Sequence, residues 1–353
     1  MSKPRFHIPS LDGLRTFSFG IVFLAHAGLG YIIPGGFGVT VFFFLSGFLI
    51  TTLMRLEWND TQHVSLKNFY IRRALRILPP FYLVLAVATS LTAAGVLRGH
   101  LIPRAVMAQV LHYANFWVVG HGSDGFAPGT GVYWSLAVEE HFYLLFPLFY
   151  LFLQRLQATP RQQAMILLAL CALIFAWRCT LVLALHSPEN RTYVASDTRF
   201  DSILFGCALA VYGNPVLDPS TKSEKLWKYL FLPLGLLGLT VTFLFRGPHF
   251  RETFRYSLQG LALIPVFVCA LRYSTWGPMQ VLNLRPIAFV GVLSYSLYLI
   301  HQVMFFALSD RLAPSIGVVA CAVITLVLSL ALAWLVQITI EKPCARLRRR
   351  FSA

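Results

Sequence analysis

Apolar residues gather in runs of bilayer-crossing length, and polar residues collect in the short stretches between them. The runs fall at about 16–33, 37–55, 77–97, 134–154, 163–185, 199–212, 228–245, 256–272, 286–308 and 314–340. A helix needs about 20 apolar residues to span a hydrocarbon core. The pattern therefore predicts an all-α integral membrane protein, a bundle of about ten transmembrane helices. The run at 199–212 is short, and the piece at 105–119 fits either an eleventh span or a re-entrant or interfacial segment. No internal repeat, coiled coil or low-complexity tract breaks the pattern, so residues 1–353 are expected to form a single transmembrane domain.

The charges choose between ten spans and eleven. With ten spans and a cytoplasmic N-terminus, the inside holds Lys3, Arg5, Arg15, Arg55, Lys67, Arg72, Arg73, Arg76 and the basic cluster at 342–350, and both termini are cytoplasmic. That excess obeys the positive-inside rule. An eleventh span would invert every later segment and spoil the bias. Composition agrees: 57% of residues are hydrophobic, only 12% are charged, and mean hydropathy is +0.67. Soluble domains carry about 25% charged residues. In a soluble protein a net charge of +15 would point to nucleic acid; here it is a topology signal, and no nucleic-acid partner is expected.

The first apolar run also resembles a cleavable leader, with Ala25-His26-Ala27 as an A-x-A site. Asp12 and Arg15 are odd occupants before a signal's apolar region, and nine following spans need no leader. A retained helix is expected. The six cysteines form no C-x-x-C pair and mostly sit in apolar runs, as small buried hydrophobes do. The ten histidines show no ligand spacing, so no metal is expected. "PGGFG" at 34–38 lacks a following G-K-[ST] and is expected to be a turn between two apolar runs.

Within this apolar frame, a few polar residues are costly. Arg15 and His26 are eleven residues apart, close to three helical turns at about 100° per residue, so they share one face. His26 then lies about 16 Å above Arg15, near the midplane, where an ionisable group points to function. Ser46, Glu139 and His301 fall between about the midplane and the outer third of their own helices. A carboxylate near a histidine fixes its tautomer and stabilises the imidazolium, and Glu140 and His141 rival Glu139 for such a place. Arg72, Arg73 and Arg76 sit at i, i+1 and i+4 in "FYIRRALRILPPFY". They are either a topology signal touching anionic lipid or a phosphate clamp, since guanidinium forks suit phosphate oxygens. Pro79 and Pro80 are expected to break or reset that helix start. Arg178, inside the fifth run, is expected to pair with a carboxylate or face an acceptor cavity, and Arg199 with Asp201 to form an ion pair or a capped helix start.

Seven motifs in order, "SLDGLR" with R-x10-H, "GGFGVTVFFFLSGFLI", "FYIRRALRILPPFY", "WSLAVEEHFYLLFP", "RFDSILFGCALA", "SYSLYLIH" and "IEKP", span about 340 residues. Together they resemble the membrane acyltransferase-3 family of integral O-acyltransferases. The resemblance implies ten membrane helices and transfer of an acyl group, often acetyl, from cytoplasmic acyl-coenzyme A to a hydroxyl. It implies His26 and Arg15 as the essential pair, Glu139 as the acidic residue, and Arg72, Arg73 and Arg76 as coenzyme A contacts. Two positions depart from the family: Thr40 stands where Asp is frequent, and His141 where Gln is common. The fused extracytoplasmic hydrolase-like domain of some members is not expected here.

These readings give a working expectation. His26 acts as general base on the acceptor hydroxyl, with Arg15 and Glu139 also catalytic. Substrate contacts are expected from Arg72, Arg73, Arg76, Asp12, Ser46, Trp134, Ser135, Tyr82 and His301, with Ser46, Ser135 and Trp134 also candidates for the oxyanion. No tightly bound cofactor is expected, acyl-CoA being a co-substrate. The acceptor is a saccharide or lipid-linked glycan, and membrane lipid surrounds the chain in a bacterial inner (plasma) membrane. No serine or cysteine stands in a nucleophile-elbow context, which favours direct transfer, with acyl-histidine as the other route. Three alternatives stay open: a transporter or flippase of a glycan or lipid-linked intermediate, an O-acyltransferase acting on a small natural product, and a non-catalytic membrane scaffold.

Overall fold

The computed structural model describes residue 8, residues 10–220 and residues 222–351; Lys3 and Arg5 lie outside them. The described residues are helical throughout, with no strand among them. The longer helices are α1 (Leu11–Leu24), α2 (Gly35–Thr61), α3 (Leu66–Ala93), α4 (Trp134–Arg155), α5 (Pro160–Cys179), α6 (Ser196–Val211), α7 (Leu232–Leu244), α8 (Phe254–Arg272), α9 (Arg285–Ile316) and α10 (Val318–Val336). Among the described residues, eight helices are long and apolar enough to cross a membrane. α1 and α6, 14 and 16 residues long, fall short of that length, whereas α7 reaches it with the helical turns before it, over Glu224–Leu244.

Three local expectations change. α3 runs unbroken through Pro79 and Pro80 and starts at Leu66, where Ser65 caps it by accepting from the Asn68 N–H. A proline in a helix frees carbonyls that something else must satisfy. Here Pro79 and Pro80 leave the carbonyls of Leu75 and Arg76 without their usual donors; one residue on, the Tyr295 hydroxyl of α9 donates to the Ile77 carbonyl, 2.8 Å away. The Gly-rich stretch after Pro34 is the first turn of α2 rather than a connecting turn. The 105–119 piece forms parts of two eight-residue helices, Pro103–Val110 and Ala114–His121, separated by His112 at φ 55°. Eight residues rise only about 12 Å, too little to cross.

Close packing sets the arrangement. α2 lies against α6, and a Cβ at Gly206 would collide with the Phe44 carbonyl while one at Gly47 would meet that of Ile203. Small residues let helix backbones approach in this way. α1 runs beside α9 in the same direction, with Gly291 against Asp12 near one end and His301 against His26 near the other.

Two ion pairs fasten the bundle. Arg178 and Asp201 are fully buried and 2.7 Å apart, and Arg178 also donates to the carbonyls of Thr198 and Thr253 and to Ser257. This joins α5, α6 and α8. Asp201 therefore pairs with Arg178, not with Arg199. Arg199 bonds the Tyr193 carbonyl and Thr40 and lies over the Tyr256 ring, 4.1 Å from its centroid. At the α2–α3 end, Arg55 holds Asp218 with two contacts of 2.6 and 2.9 Å. Burial works to raise the Asp218 carboxyl, but the Arg55 fork and the Asn214 N–H outweigh it and hold the group below the usual carboxylate range.

Candidate active site

α2 passes three cavities in turn. Its first residues, Gly35, Gly36 and Phe37, line a pocket of about 830 Å³ at the α1–α2 end. Its middle, between Val39 and Ile50, walls a cleft of about 760 Å³ within the bundle. Its last turns, between Leu53 and Thr61, face a pocket of about 1110 Å³ at the α2–α3 end. The helix has 27 residues and so is about 40 Å long, which places the cavities in succession from one end of the bundle to the other.

Arg73 and Arg76 stand in the walls of both the inner cleft and the α2–α3 pocket. The three arginines of the motif differ in their partners. Arg72 is committed: its guanidinium lies 2.8 Å from Glu57 and donates to the Phe351 carbonyl at 2.8 Å. Arg73 lies over the rings of Phe69 and Tyr143 at 5.8 and 5.7 Å. Neither Arg73 nor Arg76 hydrogen-bonds a carboxylate among the described residues. Arg15 opens onto the same cleft and is paired with Asp12 at 2.5 Å. Glu139 is the carboxylate of the cleft wall; it accepts from Ser46 at 2.6 Å, and the Tyr143 hydroxyl donates to Ser46 at 3.2 Å. Arg15, Arg73 and Arg76 thus line the cleft together with a single wall carboxylate among the described residues, Glu139.

His26 lies just past Leu24, where the helical path of α1 breaks at a kink formed by Ala27 and Gly28, the latter at φ 96°. Its partner is His301, not Glu139: Nδ1 of His26 lies 3.0 Å from Nε2 of His301, with the ring planes 21° apart and the centroids 5.2 Å apart. Nδ1 of His301 faces two carbonyls, Tyr298 at 2.9 Å and Leu297 at 3.1 Å. Carbonyls only accept, so that nitrogen carries the hydrogen, and in the neutral ring Nε2 becomes an acceptor. His26 must then donate from Nδ1, which leaves the lone pair on its Nε2. That nitrogen has no partner among the described residues and is not one of the sealed polar atoms of the interior. His301 is fixed by its burial and by Phe19 edge-on at 5.5 Å.

The cleft wall does not include His26. Tyr298 stands between them: it lines the cleft, its hydroxyl pairs with Ser135 at 2.7 Å, and its ring lies 5.7 Å from that of His301. Ser46 and Ser135 face the cleft as expected. Trp134 does not; it is packed between Phe43 and Tyr193. Tyr82 is exposed on the flank of α3, where its hydroxyl donates to the Val110 carbonyl. His141 bonds Ser196 at 2.7 Å, away from Glu139's partners.

Sequence reasoning passed over Tyr143 and Tyr298. Helical spacing contained the signal, since Tyr143 is four residues after Glu139 and Tyr298 three before His301. It also passed over Arg348, which the C-terminal helix brings to the α2–α3 pocket, and Glu57, which occupies Arg72.

Comparison with known proteins converges on one class. Residues 8–337 match the family described as "Acyltransferase domain", acyltransferase-3. The chain is 30% identical over 317 residues to the O-acetyltransferase OatA of Staphylococcus aureus (strain NCTC 8325 / PS 47), covering 85% of this chain and 51% of that one. It is 29% identical over 311 residues to the peptidoglycan O-acetyltransferase OatA of Listeria monocytogenes serovar 1/2a, covering 84% and 49%. The chain therefore spans about half the length of the curated relatives it matches. No solved structure matches it.

Proposed function

The chain belongs to the acyltransferase-3 family, and from that premise we propose that it transfers an acetyl group from cytoplasmic acyl-coenzyme A to a hydroxyl of a saccharide or glycolipid on the far side of the membrane. The chain crosses ten times in this reading, with α1 and α6 as the two short crossings. The positive-inside rule puts the α2–α3 end and both termini in the cytoplasm.

One observation carries the reading: Arg73 and Arg76 line both the pocket at the α2–α3 end and the inner cleft, and neither is hydrogen-bonded to a carboxylate among the described residues. Guanidinium forks suit phosphate oxygens. The donor's phosphates rest there, with Arg348 on the same pocket wall, and the pantetheine arm runs up the cleft past Arg15 toward Tyr298. Arg15, Glu139 and Ser46 keep that arm in place from the polar wall.

At the top of the path, His26 Nε2 takes the proton of the acceptor hydroxyl as its oxygen attacks the thioester carbonyl carbon. The new C–O bond forms, the C–S bond breaks, and the coenzyme A thiolate leaves and is protonated. A positioned base of this kind contributes about 10²–10⁴-fold. As the ring becomes imidazolium, its Nδ1–H bond to His301 strengthens, because a charged donor makes the stronger hydrogen bond.

The test uses protein reconstituted in vesicles with radiolabelled acetyl-CoA on one side and an oligosaccharide on the other. Acetyl ester should appear on the oligosaccharide. Arg73→Gln and Arg76→Gln should each raise the donor KM by roughly 10- to 150-fold, the worth of one charge-assisted hydrogen bond. An unchanged donor KM would return these arginines to lipid contact, and solute flux without any labelling would favour a transporter.

A further inference from the structure

The pocket at the α1–α2 end lies opposite the donor's entrance and is walled by the segment that follows His26: Gly30, Pro34 and Gly35 belong to it. Its wall alternates aromatic faces with guanidinium groups. Tyr193, Phe243 and Phe245 offer apolar ring surface of the kind that covers the C–H face of a pyranose, whereas Tyr256 is buried with Arg199 and Arg255 against its ring and Gln259 and Thr242 bond each other.

Three arginines line this pocket against one glutamate, Glu189, and their charges are balanced unequally. Arg251 is paired with Glu189. Arg255 lies 3.5 Å from Glu252 and donates to the Tyr256 hydroxyl at 2.8 Å. Arg246 has no carboxylate partner among the described residues; it donates to the carbonyls of Tyr31, Ile32 and Phe243. Three of its five N–H groups are used in this way, so two remain and the positive charge is uncompensated.

We propose that this pocket is the acceptor site and that the acceptor is an anionic saccharide, a pyranose bearing a carboxylate or phosphate that docks on Arg246 while the ring lies on the aromatic wall. The carbonyls that hold Arg246, those of Tyr31 and Ile32, belong to the connection that runs back to His26, although His26 itself is not in the pocket wall. This rests on the acyl-transfer reading above.

Binding is measured on the full protein in detergent with three disaccharides of the same skeleton: one ending in glucuronate, one ending in glucose, and one ending in glucose 6-phosphate. Acetyl-CoA binding is followed in parallel. The two charged sugars should bind roughly tenfold or more tightly than the neutral one. Arg246→Gln should erase that preference, Arg246→Lys should restore part of it, and acetyl-CoA binding should stay unchanged in both. The ratio between the glucuronate and phosphate arms identifies which anion the site takes. Equal binding of charged and neutral sugars, or a preference untouched by Arg246→Gln, overturns the proposal even if acetyl-CoA binds normally. Loss of acetyl-CoA binding by the wild-type protein strikes the acyl-transfer reading instead.

Discussion

Nδ1 of His26 and Nε2 of His301 lie 3.0 Å apart, and that contact decides which nitrogen of His26 is left to accept a proton. The decision is made one turn away, where the carbonyls of Leu297 and Tyr298 fix the hydrogen on Nδ1 of His301. His301, expected to contact substrate, is buried with its Nε2 against His26, and in the proposed mechanism it acts through that ring.

This role separates two substitutions at one position. Glutamine can donate to the carbonyls and accept from His26 at once, whereas leucine can do neither. His301→Gln should keep most of the acetyl-transfer rate. His301→Leu should lower kcat by about 10- to 150-fold, the worth of a hydrogen bond to a group that becomes charged, and leave the donor KM in place. Equal activity of the two variants would mean that His301 merely fills space.

The Arg178–Asp201 pair makes a stability prediction. Both side chains are fully buried and the guanidinium joins three helices. Removing one partner strands a buried charge, so Arg178→Met should destabilise the protein by about 3–5 kcal/mol. Adding Asp201→Leu removes the stranded charge and should recover a good part of that loss. Thermal unfolding in detergent reads both; a double variant no better than the single one would place the stabilisation in Arg178's bonds to carbonyls.

At the α2–α3 end, the Asp218 carboxyl is held below its unfolded value of about 3.9 by the Arg55 fork, against the opposing pull of burial. A depressed carboxyl stabilises the fold above its unfolded value, and the contribution disappears as pH falls through the folded value. Wild type should therefore melt higher than Asp218→Asn at pH 7, and the gap should close as the pH drops below about 4. A gap independent of pH would assign the effect to packing.

The helical period was enough to find most of the polar positions but not their partners. Arg15, Ser46, Glu139, Arg73 and Arg76 do meet at one cleft, because each lies on an inward helix face that its spacing reveals. Which helix each face meets depends on contacts between elements distant in sequence, such as Gly47 and Gly206 letting α2 and α6 close together. For that reason Asp201 could be matched to the neighbouring Arg199 when its partner is Arg178, and Glu139 to His26 when it bonds Ser46. Pro79 and Pro80 misled for a local reason: proline discourages a helix in water, but within the packed bundle α3 continues through both, losing the donors of only the Leu75 and Arg76 carbonyls. The family motifs supplied what spacing could not, the identity of the chemistry.

The account stands on the imidazole of His26 as the base. The most direct measurement is acetyl transfer by His26→Ala in reconstituted vesicles, with donor binding and thermal unfolding followed on the same sample. Turnover should fall by about 10²–10⁴-fold while acetyl-CoA still binds and the protein still melts cooperatively. Turnover within a few-fold of wild type would contradict the account, since the proton would then be going elsewhere.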